Sequence, residues 1–155
     1  CAERFVTPEA LPTSSGTIGS GSGILSITAL LLGAKTATGV DIDPKAEDIA
    51  RENAAINGLH DDRFRAVTGD VIGDKAMMER LGSGYDIVLA NIVADVIIPL
   101  SPIVPRFLTD EGVFICSGIL DVRFDEVAAA IERAGFTVTA HDSLEEWHCF
   151  TATLA

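Results

Sequence analysis

Apolar positions fall into short runs that alternate between strand and helix spacing along the chain. Thr17–Ile18 reads as a short strand end before a cluster of glycines. Ile24–Leu32 reads as a buried helix stopped by Gly33, where a left-handed cap is cheap. Thr36–Asp41 predicts a strand. Asp43 then fits a helix cap, with Pro44 at the first helical position, where its missing N–H costs nothing. That helix runs to about Asn57, with Ala46, Ile49, Ala50, Asn53 and Ile56 near one face, and stops at Gly58. Phe64–Thr68 predicts a third strand and Asp74–Leu81 a third helix. The continuous apolar run Ile87–Ala90 fits a central parallel strand. Residues 95–108 read as helix broken by Pro99, Pro102 and Pro105. Val113–Ser117 is a further strand, Asp121 a candidate cap for a helix over Arg123–Ala134, and Thr137–His141 and Trp147–Thr153 are two closing strands. Residues 1–16 are the least regular; a short helix over Ala2–Phe5 and turns at Pro8, Pro12 and Ser14–Gly16 are expected there.

Strands alternating with helices at this spacing predict an α/β fold. The expected form is a doubly wound, mostly parallel, Rossmann-like seven-stranded sheet with helices on both faces. The last two strands follow one another without a helix between them. That predicts one antiparallel strand near the C-terminus, at the sheet's end. The expected organisation is an irregular lead-in over residues 1–18 and one domain over residues 19–155.

Composition narrows the class. With 155 residues the chain suits one domain, and 48% hydrophobic and 22% charged residues place it among globular domains. No apolar run approaches the roughly 20 residues that span a bilayer, so no membrane partner is expected. Cys1-Ala2-Glu3-Arg4 lacks the basic-then-apolar order of a secretory leader, and the absence of an initiating Met marks the sequence as an expected fragment of something longer. The formal net charge of −12 argues against a nucleic-acid surface, which needs clustered Lys and Arg. It fits a basic protein partner or a cationic ligand better, although acidity also serves solubility alone. Cys1, Cys116 and Cys149 show no metal or redox spacing, and a cytoplasmic location is expected. His148 and Cys149 are neighbours on a strand and face opposite sides, which argues against a nucleophile pair.

The chemistry-bearing residues fall at one edge of this predicted sheet. Gly19-Ser20-Gly21-Ser22-Gly23 lies between a strand and a helix, where glycines admit positive φ and close ligand approach. The helix start adds free N–H groups and a positive dipole end, which favour a carboxylate or phosphate. A tightly packed turn is the plainer reading of the same glycines. Asp41 ends the next strand 18 residues after Gly23, where an acidic residue accepts ribose hydroxyl hydrogens, and Ile42 then lies against an adenine face. Asp70, after the third strand, either accepts from an adenine amino group or closes a local turn. Asn91, just past the fourth strand, either faces a ligand or closes a turn. In open α/β sheets ligands bind outside the C-terminal strand ends, and Gly19, Gly21, Asp41, Asp70 and Asn91 all fall there.

On these motifs the chain resembles a known family. Gly19–Ile27, Gly39-Val40-Asp41-Ile42-Asp43-Pro44, Ala90–Ile97, Ser117-Gly118-Ile119-Leu120 and Glu145-Glu146-Trp147 together look like the bacterial methyltransferases that modify protein eleven of the large ribosomal subunit. The resemblance covers nearly the whole chain from Gly19 onward. It implies S-adenosylmethionine as cofactor, contacted at Gly19, Asp41 and Asn91. It also implies methyl transfer to lysine ε-amines and the N-terminal α-amine of a ribosomal protein, a basic substrate. Asn91 is then the residue expected to orient the amine, and Asp95 is either a helix cap or a base. Three departures stand out. Thr17 occupies the position, two before the first glycine, where the family carries an acidic residue. Ser14-Ser15-Gly16 replaces an apolar run. The family's N-terminal substrate-recognition domain and Thr/Gly/His-rich loop are not in this sequence. Three rivals remain: a small-molecule methyltransferase of the same fold, a nicotinamide oxidoreductase, and a module without cofactor. Ile24 stands where the nicotinamide motif needs its last glycine.

Overall fold

A computed structural model describes residues 14–60 and 62–155. The helix expected over Ala2–Phe5 lies outside the described residues. Those described form seven strands and five α-helices: β1 Ser14–Ile18, α1 Ile24–Leu31, β2 Thr36–Asp41, α2 Pro44–Ile56, β3 Phe64–Thr68, α3 Lys75–Leu81, β4 Tyr85–Asn91, α4 Ala94–Leu100, β5 Leu108–Leu120, α5 Phe124–Arg133, β6 Phe136–Leu144 and β7 Trp147–Leu154. The strand order is β3-β2-β1-β4-β5-β7-β6. Strands β1 to β5 pair in parallel, and β7 pairs antiparallel with both β5 and β6. The expected antiparallel strand is therefore β7. It lies one in from the edge, because β6 takes the outer position.

Several boundaries follow from local chemistry. Gly33, at φ 110°, ends α1 as a left-handed cap. Asp43 caps α2 by accepting from the Lys45 N–H at 2.9 Å, with Pro44 first in the helix. The proline-rich stretch breaks as expected: α4 stops at Leu100 and a short 3-10 turn covers Val104–Arg106. Asp121 departs from expectation. It opens a 3-10 turn ahead of α5 and does not cap that helix, whose cap position is Arg123. Its carboxylate goes instead to the imidazole of His148.

Strand β1 is longer than the two-residue strand end predicted for it. It sits in the middle of the sheet, between β2 and β4, so its backbone is paired on both sides and needs no apolar run to hold it. Its first residue is tied to the start of β4: the Ser14 N–H donates to Asp86 Oδ2 at 2.9 Å and the Ser14 hydroxyl to the Gly84 carbonyl at 3.0 Å. Thr17 is only 2% exposed, and its hydroxyl accepts from Ser26 of α1 at 3.0 Å. A neutral pair thus fills the space between strand and helix. Burying a hydroxyl is tolerable because it is paired, whereas a lone carboxylate there would carry a far larger desolvation cost.

Apolar side chains bury on both faces. Val88, Ala90, Phe114, Cys116 and Phe150 pack with Ile97, Leu100, Val127 and Ile131 of α4 and α5. On the other face Ala37 packs with Ile27 and Leu30 of α1 and Ala54 of α2. Each fully buried Phe or Leu stabilises by about 1.5–3 kcal/mol, enough to hold the strand ends that carry the site in register.

Candidate functional site

The sheet reverses direction of build between β1 and β4, and such a switch point opens a crevice at the C-terminal strand ends. The loops after β1, β2, β3 and β4 meet there. A cleft of about 450 Å³ is lined by Gly19, Asp41, Ile42 and Asp70, with Ile18, Val40, Gly69, Val71, Ile72, Ile92 and Val96 as its other walls. That volume lies within the roughly 300–1,000 Å³ typical of small-molecule sites.

Glycines shape the floor. Gly19 has φ 73°, and a Cβ there would lie 2.4 Å from Ile92 Cγ2. Both conformation and space therefore require glycine. The Gly19 and Ser20 N–H groups donate to the Val40 carbonyl at 2.9 and 3.0 Å, pinning the turn to β2. Asn53 of α2 holds the far side through the Ser22 carbonyl at 2.9 Å. Gly23 begins α1 without a side-chain cap and without an acidic residue in the first turn, leaving N–H groups and a positive dipole end for an anion.

Asp41 is the centre of the polar network. Its Oδ2 accepts the Gly21 N–H at 2.8 Å and its Oδ1 the Asp43 N–H at 3.0 Å. An ionised carboxylate offers about four acceptor positions, so each oxygen retains capacity for a ligand hydroxyl. Gly21 does not line the cleft; it lies behind Asp41 and orients it. Ile42 is 71% exposed at the cleft mouth, a flat apolar surface suited to a base.

Asp70 plays its local part: Oδ1 accepts the Ile72 and Gly73 N–H groups, both at 3.0 Å. The turn reading is thus met at one oxygen of a residue that also borders the cleft. Asn91 is exposed at the end of β4, paired with Ser117 of β5, and stands outside the cleft lining beside Ile92, which is part of it. A Cβ on Gly118 would come within 2.9 Å of Asn91 Oδ1, so the glycine in Ser117-Gly118-Ile119-Leu120 makes room for that amide. Asp95 is in the first turn of α4 rather than at its cap, and pairs with Arg123 at 2.8 Å.

Sequence reasoning missed the apolar walls at Ile92 and Val96. The signal was present: Ile92 directly follows the Ala90-Asn91 strand end and Val96 lies in the first turn of α4. It also missed the ion-pair support under β3. Thr68 donates to Glu47 Oε2 at 2.6 Å, and Arg51 donates to Glu47 Oε1 at 2.9 Å. The Thr68 hydroxyl, and then Arg51, hold the Glu47 carboxyl below its ordinary range.

The ribosomal protein L11 methyltransferase (PrmA) family matches residues 13–155. A ribosomal protein L11 methyltransferase from Agathobacter rectalis is 44% identical over 136 residues, covering 87% of this chain and 42% of the relative. One from Lachnoclostridium phytofermentans is 40% identical over 149 residues, covering 87% and 45%. The chain thus spans less than half the length of these curated relatives. The crystal structure of a ribosomal protein L11 methylase from Lactobacillus delbrueckii subsp. bulgaricus superposes with a TM-score of 0.85 at 27% identity, covering 99% of this chain and 73% of that one. A TehB-like SAM-dependent methyltransferase from Corynebacterium glutamicum shares the fold, with a TM-score of 0.73 at 17% identity, covering 92% of this chain and 80% of that one. With the family model matched over residues 13–155, this chain belongs to the ribosomal protein L11 methyltransferase family.

Proposed function

We propose that this chain is a catalytic domain that transfers methyl groups from S-adenosylmethionine to amines of a basic protein. Those amines are lysine ε-amines and the N-terminal α-amine of a large-subunit ribosomal protein. The observation that carries the reading is the Asp41 carboxylate, oriented by the Gly21 and Asp43 N–H groups with acceptor capacity to spare. Two ribose hydroxyls match that capacity. The uncapped start of α1 suits the cofactor's carboxylate, Ile42 its adenine face, and the free oxygen of Asp70 its adenine amino group.

When bound, S-adenosylmethionine supplies the electrophilic methyl group. The chain's own contribution is positional, because displacement at carbon needs the amine lone pair in line with the breaking bond. Asn91 orients the amine through its side-chain oxygen, for which Gly118 leaves room. The amine must also be neutral. A free lysine has a pKa of about 10.4, so deprotonation at about pH 7.4 costs roughly 4 kcal/mol. Ile92 and Val96 shed water from this end of the cleft, and desolvation lowers an amine's pKa.

Calorimetric titration with S-adenosylhomocysteine and, separately, with NAD tests the reading. Binding of the homocysteine cofactor, abolished in Asp41→Ala, is the expected result. Binding of NAD alone would sink it, and binding of neither would favour a module without cofactor.

A further inference from the structure

Three exposed apolar side chains occupy one rung of the sheet. Leu120 of β5 pairs with Trp147 of β7, and Trp147 pairs with Leu144 of β6. Residues directly opposite on neighbouring strands share a face, so the three form a row. They are 38, 47 and 77% exposed in that order. The row belongs to the same edge and face as Asn91. Asn91 pairs with Ser117, Ser117 pairs with Cys149, and Cys149 shares a face with Trp147, two residues away on the same strand. Asn91's own rung runs through Ser117, Cys149 and Asp142, and the apolar row is the next same-face rung toward the sheet edge.

Acidic groups border it. Glu145 and Glu146 form the exposed turn between β6 and β7, and exposed Asp121 follows Leu120. No Lys or Arg occurs from Ala134 to Ala155, and Arg123 is already paired with Asp95 and Glu126. The three strands of the row, β5, β6 and β7, thus carry no Lys or Arg of their own to offset these carboxylates. The turn is also fixed in place. The Asp121 N–H donates to the Glu146 carbonyl at 3.0 Å, and the Asp121 carboxylate meets His148, whose other ring nitrogen contacts His141 at 2.7 Å.

We infer that this row is a docking surface for a basic segment of the protein substrate, next to the target amine. Aliphatic stems of Lys or Arg lie along Leu120, Trp147 and Leu144, and their charges meet the Trp147 ring face and the Glu145 and Glu146 carboxylates. The inference rests on the protein N-methyltransferase reading and adds where the substrate lies. Charge complementarity selects a basic segment over a second copy of this acidic chain.

Trp147 is the only tryptophan, so its emission reports on the row directly. The wild-type chain is titrated with a short peptide of alternating lysine and alanine, and with one of alternating glutamate and alanine. The lysine peptide is expected to shift or quench Trp147 emission in a salt-dependent way, and the glutamate peptide to do nothing. Calorimetry on Glu145→Lys/Glu146→Lys and on Leu144→Ser should show about tenfold weaker binding of the lysine peptide, consistent with a few exposed contacts. All three positions are exposed, so the variants should fold, and thermal unfolding checks this. Unchanged emission, equal binding by the variants, or equal binding of the glutamate peptide overturns the inference. So does concentration-dependent dimerisation lost in Leu144→Ser, which would make the row a self-association face. Titration of the same samples with S-adenosylhomocysteine separates the two readings. Cofactor binding without peptide binding removes only the docking surface; peptide binding without cofactor binding removes only the cofactor assignment.

Discussion

The Gly21 N–H donates to Asp41 Oδ2 at 2.8 Å, joining the turn after β1 to the end of β2. A positive φ of 49° turns the Gly21 amide into that position, and open space around its Cα shows that conformation, not crowding, demands the glycine. The second carboxylate oxygen takes the Asp43 N–H, so one side chain sets both the floor of the cleft and the start of α2.

Asp41→Asn is therefore expected to do two things at once. An amide keeps one acceptor oxygen and turns an NH₂ toward the other backbone donor, so unfolding stability should fall by about 1 kcal/mol. Affinity for S-adenosylhomocysteine should drop at least about tenfold, because NH₂ cannot accept from a ribose hydroxyl. Scanning calorimetry and titration calorimetry read the two effects. Unaltered unfolding would mean that the Gly21 contact contributes nothing in solution.

Gly19 and Ile92 make a second coupled pair. Gly19→Ala places a Cβ 2.4 Å from Ile92 Cγ2 and forces an alanine to φ 73°. The expected loss is about 2–3 kcal/mol, part steric and part conformational. Ile92→Ala in the Gly19→Ala background should recover the steric part and leave roughly 1 kcal/mol of backbone strain. Urea unfolding of the four proteins gives the coupling; strictly additive losses would contradict the contact.

Glu47 supplies a pH-dependent element. Its folded carboxyl is held below the ordinary value of 4.5, first by the Thr68 hydroxyl and then by Arg51. A depressed folded pKa stabilises above the unfolded value and stops doing so as pH falls through the folded one. Glu47→Gln should cost about 1 kcal/mol at pH 7, a modest figure because the pair is partly exposed. The gap between variant and wild type should narrow below pH 4.5. Chemical unfolding at a series of pH values checks this, and a gap that is constant with pH would exclude the charged hydrogen bond.

The pattern of residues was enough for the alternating order of elements, for Asp43 and Pro44 at the start of α2, and for the glycine and acidic positions at one sheet edge. Each is a local property: a period of two or 3.6, a cap within three residues, a turn that only glycine enters cheaply. Four of the six expected site residues, Gly19, Asp41, Ile42 and Asp70, line one cleft. Gly21 acts behind Asp41, and Asn91 stands beside the cleft next to Gly118.

Tertiary structure decided the rest. Strand β1 exists because β2 and β4 pair with it on both sides, which a run of Ser, Gly and Thr does not announce. The placement of β7 inside β6 depends on which neighbour β5 accepts, a choice made across the whole stretch from Asp121 to Glu146. The Thr17–Ser26 hydroxyl pair, the Asp121–His148–His141 contacts and the Leu120–Trp147–Leu144 row join residues far apart in sequence. Local periodicity assigns a residue to an element and a face. Only strand order and register bring two such faces together, and that is where the walls of this site and the row beside it are made.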